Sequence, residues 1–377
     1  MKQQLVALHF ITRTLRGDRQ IDTDVLRTEI RAGQPPWEAV VSLANDHLLT
    51  PALWVALNTR GLADDLPEDL YQYLQELHKL SRERNRHLRL QLLEAARELN
   101  AAGIVPVLLK GAKHLVTTIY ADPGVRIMSD IDLLVSRTDI TPAYKALQQL
   151  GYRPVEDVHG DYHDEHHHCA PLFREGDYGT LELHRGLAEN PYAAILPMEL
   201  ALTGLEPLEV EEVRMTALST THRILHTIIH SQLADHFHDN GIIPLRSLHE
   251  MATEYSAANV NVDWLTIKRQ MEQHKRGRVL DAYLFMAHKL FAMSYPADTD
   301  PTLAGRLYCR RCRAQLGWRW AQQWGMRLGR YSPDTMNERY NCGSGWLAVN
   351  RSRIRQLAGR ISILINYPAA SGRGIRP

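Results

Sequence analysis

The stretch that decides the fold is Met128-Ser129-Asp130-Ile131-Asp132-Leu133-Leu134-Val135. Its β-branched and apolar content predicts a strand. Side chains alternate along a strand, so Asp130 and Asp132 share one face while Ile131, Leu133 and Val135 share the other. Two neighbouring carboxylates repel and raise one another's pKa unless a cation sits between them. Hard oxygen ligands point to Mg²⁺ or Mn²⁺, and a metal so held binds phosphate oxygens and activates a hydroxyl. The plainer alternative is an edge strand with two solvated acids, against which stands the strong apolar face.

Working outward, Ile104 to Leu109 reads as a buried strand, with Gly103 before it as the C-cap of a helix. Lys110-Gly111 ends that strand and opens a helix expected over 112–120. Such a junction offers free backbone N–H groups, and glycine lets a phosphate come close. Lys110 adds a point charge, and Arg126 is placed to clamp an oxygen just ahead of the acidic strand. The alternatives are a solvated lysine and an Arg126 pair with Asp122. Thr141-Pro142 starts a helix running to Gly151. A hairpin follows, with strands over 166–174 and 180–184 around Glu175-Gly176-Asp177-Tyr178-Gly179. On its second strand Glu182 and His184 share a face, and Glu182 is the third acid that a two-metal site needs.

The first hundred residues read helical, with rows Leu70, Leu74, Leu77, Leu80 and Leu88, Leu92, Ala95, Leu99. From Pro197 onward the pattern is helical again, most strongly over 220–236, 244–255, 264–274 and 279–291. The division is therefore 1–95 helical, 96–190 a catalytic core and 191–377 a second helical region that shapes the acceptor site. The fold class is α/β (α+β), a small mixed sheet flanked by helical regions.

The order Leu108-Leu109-Lys110-Gly111, Tyr120 to Arg126, Ser129 to Val135 and Leu150-Gly151-Tyr152 resembles the bacterial family of uncharacterised nucleotidyltransferases, in the DNA polymerase beta-like superfamily. The superfamily pattern has a glycine-containing helix start, a strand with two acids one residue apart, and a third acid on a later strand. Gly111, Asp130, Asp132 and Glu182 match it in order. The family's motif adds Lys110, Arg126 and a Glu-Leu-His element, which 182–184 reproduces. The resemblance implies transfer of a nucleoside monophosphate from an NTP, ATP first, to a hydroxyl, with Asp130, Asp132 and Glu182 as metal ligands. Lys110, Gly111, Arg126 and Ser129 would bind the nucleotide. Two positions depart. Ala112 replaces the usual serine after the glycine, leaving a phosphate hydroxyl contact to Ser129. In the later helix, His249 stands where an acid is expected. Phosphoryl transfer on the same fold and a non-catalytic nucleotide- or RNA-binding module are the alternatives.

The histidines 159, 163, 166, 167, 168 and 184 invite a zinc reading, but Cys169 points away from His168 on a strand. The functional reading sets His166, His168 and His184 along the acceptor pocket, and the plainer one makes these histidines the surface of a polar hairpin. His222, His226 and His230 recur every four residues, a row read first as partly buried and satisfied, and otherwise as facing the same cleft with His230 as its acceptor-side member. Cys309-Arg310-Arg311-Cys312 lacks a second pair and reads as two free thiols on a helix.

The 377 residues are 44% apolar and 23% charged, which excludes disordered and fibrous classes. No uncharged apolar run of spanning length exists, and the start lacks a secretory cleavage site. Four cysteines fit a reducing compartment, so a cytoplasmic setting is expected. Residues 301–377 hold fourteen Arg, no Lys and two acids, a charge of +12 that leaves −11 on the rest. Such a basic end, with its tryptophans, suits an anionic partner, RNA or a membrane surface, or a solvated helix face.

Overall fold

The computed structural model describes residues 2–16, 23–155, 168–256, 262–296 and 299–317. His159, His163, His166, His167, Cys342 and the tail from Trp318 lie outside the described residues. Five helices come first: α1 (Lys2–Leu15), α2 (Thr23–Arg31), α3 (Trp37–Asp46), α4 (Thr50–Thr59) and α5 (Glu68–Ala101). The two leucine rows of the sequence lie on the single helix α5. Its buried row does not follow them throughout: Leu80 is exposed, and the buried positions pass through His78, Ser81 and Asn85. Gly103 closes α5 in the left-handed region, with Ile104 N–H bonded back to the Leu99 carbonyl.

The sheet has seven strands in the order β3-β4-β5-β2-β1-β7-β6. They are β1 (Val107–Leu108), β2 (Asp130–Leu134), β3 (Arg153–Pro154), β4 (Leu172–Phe173), β5 (Thr180–His184), β6 (Glu206–Val210) and β7 (Val213–Ala217). β2 runs antiparallel to β1 and parallel to β5. β7 joins β1 in parallel and pairs with β6 as a hairpin. That hairpin corrects the helical reading from Pro197 onward. The helix expected over 112–120 is a 3₁₀ turn at Lys110–Leu115, followed by irregular chain. The run Val116-Thr117-Thr118-Ile119 accounts for the stop, since four β-branched side chains in a row disfavour helix.

Strand alternation sorts the core. Ile131 and Leu133 of β2, Leu181 and Leu183 of β5, and Val213 and Met215 of β7 pack under α5 and α6 (Ile140–Gln149), with Leu88, Leu92, Leu99, Ala143 and Leu147. The opposite face carries the acids. It is covered by α8 (Thr220–Ile228), a π-helical turn at Ile229–Ala234, and α10 (Leu245–Ser256), numbering the short helices Met198–Ala201 and Phe237–Asn240 as α7 and α9. Helices α11 (Trp264–Gln273), α12 (Gly277–Phe291) and α13 (Leu303–Gly317) complete the chain, and α12 and α13 pack against α1. Cys309 and Cys312 of α13 are buried free thiols. Among the described residues no helix is long and apolar enough to cross a membrane.

Candidate functional site

The register of β2 against β5 sets Asp132 opposite Glu182 and Asp130 opposite Thr180. Asp132 is almost fully buried, and two side chains hold it. Lys110 Nζ donates to Asp132 Oδ1 at 2.7 Å, and His184 Nε2–H donates to the same oxygen at 2.8 Å. Glu182 Oε2 lies 3.6 Å from the same His184 nitrogen. Ligand atoms of Asp132, Glu182 and His184 all fall within 4.8 Å of one another, a spacing and donor set that fit a divalent cation. Asp130, expected as a ligand with them, stands outside that close group and faces the adjoining cavity.

The two aspartates titrate in opposite directions. Burial raises the Asp130 pKa, and the Asp132 and Glu182 charges raise it further. Burial works the same way on Asp132, but His184 and Lys110 overcome it and hold that carboxyl well below its usual range. Burial likewise opposes charge on His184, yet Asp132 and Glu182 hold its pKa above the ordinary value. A cation beside the acid pair was the condition read from the strand, and Lys110 supplies one from the protein itself.

Lys110 reaches Asp132 because its backbone, at φ +45°, turns left-handed where β1 ends. Gly111 follows, and a Cβ there would lie 2.6 Å from Arg126 Cζ and 2.9 Å from Met128 Cε. The glycine therefore makes room for the Arg126 guanidinium. Arg126 pairs not with Asp122 but with Glu250 of α10, Nε to Oε1 at 2.8 Å. Asp122 is taken instead by His78, at 3.0 Å, and by the Gly124 N–H. Glu250 also binds Arg246 at 3.0 Å; burial raises its pKa, but the two arginines prevail and bring it to about 2. The acid expected at position 249 is thus one residue further along. His249 itself is buried against Tyr120 and Phe291.

These groups border a cavity of about 370 Å³, within the range of small-ligand sites. Lys110, Gly111, Arg126, Ser129, Asp130 and Asp132 line one wall. Arg223, His226, His230, Arg246, Glu250 and Glu254 line the other, and Asp46, His47 and Leu48 reach in after α3. A second ion-pair chain braces the far wall: Lys113 and Arg223 share Glu206, while Arg223 and His114 share Glu254. His230 lies in the cavity wall and bonds Asp235 at 3.1 Å. His226 is buried beside it, donating to the Leu187 carbonyl. His168 pairs with His184 as an isolated β-bridge, its ring 5.4 Å from that of His184, and neither residue is among those lining the cavity. His166 lies outside the described residues.

The uncharacterised nucleotidyltransferase family matches residues 34–292, more than half of the chain. The protein belongs to this family. No curated protein and no solved structure matches the chain. The matched span takes in both acidic strands, Lys110 and Arg126, and it extends through α10 and α12, so both cavity walls fall within the family region. Sequence reasoning had not singled out Arg223, Arg246, Glu250 or Glu254. The four-residue spacing of Arg246 and Glu250 was the one local signal, since it sets them on the same helix face.

Proposed function

We propose that the protein transfers a nucleoside monophosphate from an NTP, ATP first, to a hydroxyl of an acceptor, releasing pyrophosphate. The supporting observation is the pairing of Asp132 with Glu182 across β2 and β5, with Asp130 and Lys110 beside them at one wall of the cavity. Asp130, Asp132 and Glu182 would hold Mg²⁺ or Mn²⁺. Such an ion, when bound, supplies charge on the phosphate oxygens and lowers the pKa of an attacking hydroxyl. His184 keeps Asp132 oriented through Nε2–H, as partners of metal ligands do. Lys110 and Arg126 offset phosphate charge, Gly111 permits close approach, and Ser129 stands at the same wall. His230 and the C-terminal helical region face the acceptor, and a cytoplasmic setting supplies the NTP. The acceptor is a small molecule, a peptide, a protein side chain or an RNA end. The exposed Arg306, Arg310 and Arg313 on α13 begin the basic segment for which we keep an anionic partner.

The test uses ATP labelled separately at the α and γ phosphates, with Mg²⁺ and an extract of source cells, for wild type and Asp130→Asn. Movement of α label with wild type alone supports the reading and delivers the acceptor. Movement of γ label alone replaces it with phosphoryl transfer. No movement with any of four NTPs leaves a nucleotide-binding module.

A further inference from the structure

The pairing of Arg126, Glu250 and Arg246 has a charge surplus that faces the cavity. Both guanidiniums bind through Nε to one oxygen, Glu250 Oε1, at 2.8 and 3.0 Å. Their forks are thereby left turned away from the carboxylate. Arg246 spends one Nη on the Ile127 carbonyl at 2.7 Å, while among the described residues neither Nη of Arg126 has a hydrogen-bond acceptor. Two cations on one anion leave a net positive charge at a largely buried place, which is costly unless an anion completes it. Two acids of the same cavity are already engaged, Glu254 by Arg223 and His114, and Asp132 by Lys110 and His184. Gly111 lies directly under the Arg126 guanidinium, so its bare backbone borders the same space.

We infer that Arg126 and Arg246, set side by side by Glu250, form a polyphosphate-binding site in which Arg246 is a second phosphate-contacting guanidinium and Glu250 the positioning residue. The inference deepens the nucleotidyl-transfer reading and rests on it for the identity of the ligand. Planar forks suit phosphate oxygens, and a shared carboxylate fixes the spacing of the two forks before the ligand arrives. The two guanidiniums are held by Glu250 and not by the metal-binding acids, although they border the same cavity. The site therefore recognises tripolyphosphate, pyrophosphate and the phosphate chain of an NTP without need of a divalent ion or a base.

The experiment is calorimetric titration of the full chain with tripolyphosphate in EDTA, and with AMP and ATP in Mg²⁺, for wild type, Arg246→Met and Arg246→Lys. Wild type should bind tripolyphosphate in EDTA. Arg246→Met should lose about tenfold or more of affinity for tripolyphosphate and ATP, on the order of one charge-assisted hydrogen bond. AMP affinity should change by less than about twofold, because AMP has no β or γ phosphate to occupy the paired guanidiniums. The lysine variant keeps the charge on a side chain of similar reach, so it covers the case in which methionine does not fold; without the planar fork it should lose part of the same affinity. Equal losses for AMP and ATP would mark Arg246 as structural and overturn the proposal. So would unchanged tripolyphosphate binding in a folded variant, with nucleotidyl transfer left standing. Absence of any binding to wild type would remove both readings.

Discussion

Glu182 stands directly across the parallel β2–β5 pair from Asp132, and His184 Nε2 lies within 3.6 Å of both carboxylates. The two acids differ in what else holds them. Asp132 is buried under Lys110 and His184, whereas the Glu182 side chain is 18% exposed. Glu182→Gln should therefore keep the fold and lose about 10²–10³-fold in α-label transfer, the scale on which one preorganised charged group acts. Asp132→Asn should lose activity and also melt lower, because Lys110 and His184 are left without their shared anion. Thermal melts beside the transfer assay check both, and a Glu182→Gln variant with full activity would remove Glu182 from the site.

Two glycines of the site should respond differently to alanine. At Gly111 the new methyl meets the end of the Arg126 side chain, and at Gly179 it meets the Ser129 carbonyl at 2.8 Å, a backbone atom between β2 and β5. Gly111→Ala should cost about 1–3 kcal/mol and weaken nucleotide binding, since the guanidinium is displaced. Gly179→Ala should cost more stability, because a strand pair has to shift. Denaturant melts and nucleotide titration of both variants test the contrast.

Buried histidines set the response to acid. Burial lowers the pKa of His226 to about 3 and of His249 to about 4. Below about pH 6.5 the unfolded chain takes up a proton at each, while the folded chain does not until those lower values. The unfolded state binds more protons in that window, so stability falls as pH drops from about 6.5 toward 4. His249 packs between Tyr120 and Phe291, where an aromatic ring suffices. His249→Phe should fold and flatten the dependence by up to about 1.4 kcal/mol per pH unit between pH 6 and 4.5. Urea melts across that range measure the slope; an unchanged slope would contradict the assignment.

Polar side chains within α5 hold the backbone that leads to the acids. Asn85 Nδ2 donates to the Pro123 and Arg126 carbonyls, and Gln91 Nε2 donates to the Gly179 carbonyl. Asn85→Leu should leave the helix intact, cost about 1–3 kcal/mol for the unpaired carbonyls, and weaken nucleotide binding through Arg126. Circular dichroism with a nucleotide titration checks all three outcomes.

The acidic strand, its partner Glu182 and the junction at Lys110-Gly111 were legible because strand alternation and glycine chemistry act over a few residues. The β6–β7 hairpin was not. Its turn residues Glu211 and Glu212 both adopt positive φ, 54° and 65°, where Asn or Gly usually announces such a turn. The remaining signal was the alternation of Val213, Met215 and Ala217, with Arg214 and Thr216 between them. The Arg126–Glu250 contact joins positions 124 apart, and local pattern reasoning has no access to that distance. His78, Ser81 and Asn85 broke the apolar row of α5 for the same reason, as His78 and Asn85 have their partners in the loop before β2.

Helix α5 has 34 residues and measures about 50 Å, one uninterrupted rod from the N-terminal bundle to the sheet. A rod transmits angle as well as position. One residue inserted between Leu74 and Asn85 would turn everything beyond it by about 100° relative to the bundle. Asn85 and Gln91 would swing off their carbonyls, although each segment of helix remained a sound helix. The chain thus carries a phase requirement in a place where no catalytic residue stands, and the polar outer face of α5 tolerates changes of residue type far better than changes of length.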